Sequence, residues 1–261
     1  MSDWRDEHSM GFTSELGLSV EPGSEPDTLA GHAVVVPEVC VPNASVIRPS
    51  VLLTWADILT GSLANEFTMP RICLTVDLDV RIARPIPVGA SLTAVGRILK
   101  AGRTVVFGEA DFTLEGDDGP AAIALSTFVA SPRPEDDIGD RDTAITRVSR
   151  PPAAPGPPAP IAELLGTQVL GDGQVEVARR TRILNWAETV QGGAVAAVAE
   201  EAVLALDGAI PPDALQVRYT GAVRVGPMRA TARRVGPWTR VEVIDAGNED
   251  RLAAVALARS V

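Results

Sequence analysis

Two stretches of the chain are apolar at nearly every helical position, and each is followed by runs in which apolar and polar residues alternate. The first, from about Pro49 to Asn65, carries Val51, Leu52, Leu53, Trp55, Ile58, Leu59 and Leu63 around its whole circumference, which predicts a buried helix. The second, from about Gly192 to Leu206, has the same character in smaller residues: Ala194, Ala196, Ala197, Ala199 and Ala202. Period-two or strand-like runs follow the first helix at residues 75–81, 90–94, 104–110 and 121–128, and the second at 215–219, 227–231, 240–244 and 252–258. Each half therefore reads as a strand or two, one long helix, then several antiparallel strands, an α+β unit.

The halves repeat each other in detail. Asp57 follows Arg48 by nine positions, as Glu200 follows Gln191; Arg81 precedes Gly89 by eight, as Arg218 precedes Gly226. Between the halves, residues 132–160 hold eight prolines, too many for a helix or a central strand, and predict an extended linker. The expected organisation is a flexible tail over residues 1–20, a first unit over 21–131, the linker over 132–160, and a second unit over 161–261. Each apolar helix carries one acid at the repeat position, Asp57 or Glu200. An acid in such a place is costly unless paired, hydrogen-bonded or shifted in pKa, so two of them ask for a common cause.

Composition narrows the classes. Apolar residues make up 46% of the 261, enough for a sizeable core, and a formal charge of −11 argues against nucleic acid or an anionic membrane as the main partner. Any anionic ligand must meet a local basic cluster. Cys40 and Cys73 lack metal-ligand spacing and make no disulfide framework, which suggests a reduced, cytoplasmic setting. The charged N-terminus lacks an apolar export segment, and no run approaches the roughly 18 apolar residues of a membrane span. Of the two histidines, His8 lies in the tail and His32 stands alone, so no Ser-His-Asp or Cys-His set, metal site or phosphate loop is expected, and no cofactor.

A helix entered through Gly192-Gly193, with Asn185 and Gln191 before it and Glu200 beyond, resembles the PaaI-type acyl-CoA thioesterases of the hotdog fold. The first half offers Arg48, Pro49, Ser50 and Asp57 at those places, with Gly61 four residues on; Thr75-Val76-Asp77 and Arg84-Pro85 also fit the family pattern. The resemblance implies a double hotdog, two fused units forming a pseudo-dimer, with each active site built from the helix entry of one unit and the acid of the other. One site would then combine Asn185, Gln191 and the Gly192 N–H with Asp57 and Thr75, and the other Arg48 and Pro49 with Glu200. Pro49 has no backbone N–H with which to polarise a thioester carbonyl, so the second site should be the weak one.

The implied activity is hydrolysis of an acyl-CoA or related thioester. Asp57 would attack or activate water, and Thr75 would orient it; Glu200 is its candidate counterpart. Gly193, Arg48, Arg81, Arg84, Arg218 and Arg224 are candidates for substrate contacts. Plain structural roles compete at each position, since glycines allow close packing, Asn185 can cap a turn and arginines at strand ends are often merely solvated. The rival reading is a non-catalytic acyl-binding or CoA-binding protein. Hotdog hydratases are disfavoured because neither helix carries a His. Relatives commonly associate further, which implies a homo-oligomer of pseudo-dimers.

Overall fold

The computed structural model describes residues 11–132, 155–185, 187–208 and 210–260. The first unit contains β1 (Ser19–Pro22), β2 (Thr28–Val34), α1 (Pro49–Thr68), β3 (Cys73–Ile82), β4 (Ser91–Ala101), β5 (Val105–Leu114) and β6 (Ala122–Ala130). A short helix α2 (Ile161–Leu165) opens the second, followed by β7 (Gln168–Gly171), β8 (Gln174–Val177), α3 (Gly192–Asp207), β9 (Pro212–Tyr219), β10 (Met228–Val235), β11 (Trp238–Asp245) and β12 (Arg251–Ser260). All the strands join edge to edge in one antiparallel sheet, ordered β1-β2-β4-β5-β6-β3-β9-β12-β11-β10-β8-β7. The second six are the repeat of the first six in reverse order, the arrangement that a pseudo-twofold axis requires. The expected double hotdog is the observed fold.

The axis can be located from the register. In the β3–β9 seam Asp79 stands opposite Gln216, and each lies two residues before the arginine of its own repeat, Arg81 or Arg218. The pair is therefore self-equivalent. Joining at this seam gives β3 and β9 partners on both sides and removes two edges that would otherwise invite aggregation. Each unit also turns at a matched glycine, Gly89 and Gly226, with φ of +84° and +73°, a left-handed conformation that L side chains rarely adopt.

Both long helices lie against the inner face of the sheet. A Cβ on Gly96 of β4 would come 2.7 Å from the Leu59 Cβ, and one on Gly108 of β5 would come 2.7 Å from the Thr60 Cβ, so these glycines let α1 settle directly on the strands. Trp55 is the largest fully buried side chain, and α1 also packs on α3.

The N-terminal boundary differs from expectation. Residues 11–20 are part of the fold: Phe12, Leu16 and Leu18 are buried and β1 starts at Ser19. The Phe12 N–H donates to the Arg182 carbonyl at 2.8 Å, and Arg182 makes two bonds to Glu15 at 2.9 and 2.8 Å, tying this segment to the second unit. Three well-spaced apolar side chains thus outweigh the polar character of the sequence around them. The part of the expected tail over residues 1–10, with His8, and most of the expected linker lie outside the described residues.

Candidate active site at the Gly192 helix entry

Asp57 sits on α1 one turn after Thr54. Across from it begins α3, which comes so close that a Cβ on Gly193 would collide with Thr54. Gly193 therefore serves the approach of the two helices. The first N–H groups of α3, Gly192 among them, have no acceptor within the helix and carry the positive end of its dipole. Thr54, one turn before the acid of the first unit, thus meets the helix entry of the second, and the Asp57 charge is felt by Tyr219, which bonds the Gly192 carbonyl.

Thr75 reaches Asp57 through a kink in the sheet. Strict alternation along β3 would place it with Asp77 and Asp79, on the face away from the helix. A bulge between Thr75 and Asp77 leaves Val76 unpaired and sets Thr75 opposite the buried Phe128, turning it inward. The Thr75 hydroxyl donates to the Asp57 carboxylate at 2.7 Å. Burial raises the Asp57 pKa to about 6, against the lowering effect of this bond. Asp57 is thus poised to change charge just below neutrality, as a general base requires.

Tyr219 completes the surroundings and was not foreseen. Its hydroxyl donates to the Gly192 carbonyl at 2.8 Å, and a Cβ on Gly192 would lie 3.4 Å from its ring. It is the only tyrosine in the chain, and alternation with Leu215 and Val217 places it on the inner face of β9, a signal present in the sequence. Cys73 lies nearby, its thiol donating to the Gly61 carbonyl at 3.3 Å. Burial and then the Asp57 charge push that thiol far up, so it stays protonated and inert.

Asn185 and Gln191 support the loop that leads into α3. The Asn185 side chain accepts the N–H groups of Ala187 and Thr189 at 3.0 and 3.1 Å and donates to the Thr189 hydroxyl at 2.9 Å. The Gln191 amide donates to the Leu184 carbonyl at 2.8 Å, and its Oε1 is buried without a donor among the described residues. Neither has Asp57 as a hydrogen-bond partner.

The pseudo-equivalent position is closed. Arg48 and Glu200 are each 0% exposed; the guanidinium lies 2.7 Å from Glu201 and 3.6 Å from Glu200, and its Nε donates to the Cys40 carbonyl at 3.2 Å. The Ser50 hydroxyl donates to Glu200. Burial pushes the Glu200 carboxyl up; Arg48 and Ser50 pull it down, and Glu201 adds to the rise. Glu200 is therefore a structural acid rather than a catalytic one, and Arg48 is sealed away from any CoA phosphate. Ser50 and Gly193 are repeat equivalents, so the side chain that fills this position has no counterpart beside Asp57.

Of the other candidate arginines, Arg81, Arg84 and Arg218 are paired with acids. Arg81 and Arg218 project from the outer face of the sheet, opposite to Asp57, paired with Asp79 and with Asp77 (3.2 Å) respectively. Their strand alternation with the inward Leu78, Val80 and Val217 settles this, and it removes them from the site. Arg84 pairs with Asp117 at 2.9 Å. Arg224 is exposed on the turn before β10, where its backbone N–H donates to Asp245 at 2.8 Å. Among the described residues no group of three or more His, Cys, Asp and Glu side chains could hold a metal, and no helix is long and apolar enough to cross a membrane.

Residues 49–121, from α1 to just before β6, match the family model of the thioesterase superfamily. The structure of an acyl-ACP thioesterase from Bacteroides thetaiotaomicron aligns over 91% of this chain and 99% of its own, with a TM-score of 0.61 and 11% identity. The 12:0-ACP thioesterase from Umbellularia californica aligns over 91% and 98%, with a TM-score of 0.66 and 12% identity. Both align along nearly their whole length, so the likeness extends to the paired arrangement. The chain is a double hotdog whose first unit holds the segment that matches the thioesterase-superfamily model. No curated protein matches it by sequence. At such low identity the structural likeness concerns the fold alone, and the chemistry of this double hotdog rests on its own residues.

Proposed function

We propose that this double hotdog hydrolyses acyl thioesters, acyl-CoA or a related carrier-borne thioester, to the free thiol and carboxylic acid at the site of Asp57 and Gly192. The observation that carries the reading is the meeting of a half-buried, Thr75-bonded carboxylate from one unit with the glycine entry of a buried helix from the other. The thioester carbonyl would accept the Gly192 N–H, and the helix dipole would favour charge developing on its oxygen. Ionised Asp57 would take a proton from the attacking water, or attack the carbonyl itself to form an acyl anhydride that water then hydrolyses to the acid and free Asp57, and the C–S bond would break with the thiolate taking up a proton. Two of the full-length structural relatives bear names that specify acyl-ACP substrates, so carrier-protein thioesters belong beside CoA thioesters in the assay.

A panel of acyl-CoA and acyl-ACP thioesters, followed by thiol release, tests this. Turnover is expected on at least one, with kcat/KM rising as pH increases through about 6, because the raised Asp57 must lose its proton to act. Saturable binding without turnover at any chain length would make the protein an acyl-binding module instead. Free Cys40 and Cys73 support a reducing compartment such as the cytoplasm. Exposed Ile123, Leu125 and Leu257 on the outer sheet face support association of copies. Light scattering is expected to give a multiple of 27.3 kDa, and a strict monomer at all concentrations would refute association.

A further inference from the structure

The geometry points to Tyr219 as a positioning residue that clamps the Gly192–Gly193 peptide, the one next to the Gly192 N–H at the entry of α3, an inference that rests on the reading of this site as a thioesterase. Glycine at a helix entry costs no space but leaves both adjoining peptide planes free to rotate, which is unfavourable where an N–H must aim at one point. Here both planes are anchored. The Gln191 carbonyl accepts the Val195 N–H at 3.1 Å, fixing the peptide that carries the Gly192 N–H. The Gly192 carbonyl, already an acceptor within α3, also accepts the Tyr219 hydroxyl at 2.8 Å, a second anchor on the next peptide, whose donor is the Gly193 N–H.

The pseudo-repeat provides an internal comparison. Counting from the paired arginines, Tyr219 is the equivalent of Ile82, each one residue beyond its Arg218 or Arg81. At the repeat-equivalent positions the first unit has Pro49 at its helix entry and Ile82, without a hydroxyl, on its strand, where the second has Gly192 and Tyr219. Hydroxyl and glycine occur together at one site and are missing together at the other. A purely packing role would be filled as well by the isoleucine. Burial, then the negative charges of Asp57 and Asp77, push the phenol pKa well above its usual value, so Tyr219 remains a donor throughout the working pH range.

The test is Tyr219→Phe in the full chain, which keeps the ring against Gly192 and removes only the hydroxyl. With glycine-selective 15N labelling, the Gly192 and Gly193 amide resonances are expected to move while distant glycines such as Gly89 and Gly116 stay in place. On the best thioester of the panel, kcat should fall about tenfold, the scale for a slightly misaimed catalytic group, with KM within about twofold. The acid limb of the pH profile should stay near 6, because Asp57 is set by its burial and Thr75 and not by Tyr219. Unmoved Gly192 and Gly193 resonances, or unchanged kcat, would overturn the assignment. So would a loss seen in KM with a displaced acid limb, which would mark general damage to the site. If the wild-type protein turns over no thioester at all, the hydrolase reading fails on that result alone. The glycine resonances then still decide whether Tyr219 holds the peptide.

Discussion

Asp57→Asn is expected to lower kcat by at least about a hundredfold, the usual scale for loss of a general base, while making the protein more stable at neutral pH. Asparagine keeps an oxygen to accept the Thr75 hydroxyl, so the local geometry survives. The stability gain follows from the direction of the pKa shift. In the folded chain Asp57 titrates near 6, above its ordinary 3.8, so between those values the folded state holds a proton that the unfolded state has released. Stability therefore falls as pH rises from about 4 to 6, and the cost of the buried charge is fully present above 6. That cost is at most about 3 kcal/mol on the scale of 1.36 kcal/mol per pKa unit. A neutral asparagine side chain carries none of it. The difference in unfolding free energy, variant minus wild type, should be near zero at pH 4, grow to pH 6 and then level off. Urea titrations at pH 4, 5, 6 and 8 would show this, and an Asp57→Asn protein less stable at pH 8 than the wild type would contradict the burial account. Glu200→Gln should leave most turnover intact; the reverse pattern would move the chemistry to the other helix.

Arg48→Met should be the most destabilising of the single changes at the closed position. It leaves Glu200 and Glu201 buried beside each other with no cation, and breaking a buried pair in this way costs about 3–5 kcal/mol. Removing all three charges together is a different matter, since buried ion groups replaced by neutral residues of similar volume are often tolerated or stabilising. The triple change Arg48→Met, Glu200→Gln, Glu201→Gln should recover most of the loss. Guanidinium unfolding curves on the single and triple variants separate these outcomes. A single variant within about 1 kcal/mol of the wild type would show that the triad is not what holds the two helices at this point. The loss in the single variant should shrink below the pH at which Glu200 takes up a proton, because its raised pKa marks a carboxyl that burial already disfavours as an anion.

The repeat, the two buried helices and the runs of strands were legible in the sequence because burial leaves a direct record in it. A helix enclosed by a sheet must be apolar on nearly every face, and Val51 to Leu63 and Ala194 to Leu206 are, apart from the acids and a few hydroxyls. The equal spacing of Arg48 to Asp57 and Gln191 to Glu200 located both acids on equivalent turns, and Pro49 against Gly192 already announced that the two positions would differ. What each acid does was not legible. Asp57 and Glu200 occupy the same repeat position, and their fates diverge through residues far away in sequence: Ser50 and Arg48 against Glu200, Thr75 and Tyr219 around Asp57.

Fold class, pseudo-symmetry and the places of the acids can thus be read from the residues in order, since they follow from local periodicity and from one half matching the other. Which acid is open to chemistry depends on the folded arrangement. The bulge at Val76 shows why: period-two counting puts Thr75 outside with Asp77, and a single unpaired residue, set by pairing with β6, reverses it. The second unit carries the same bulge at Asp213, where it turns inward Pro212, which has no hydroxyl to offer Glu200. Register is a property of two strands together. Neither strand's sequence contains it, and on it depends whether a buried carboxylate meets a hydroxyl donor from the sheet or is closed off by an arginine.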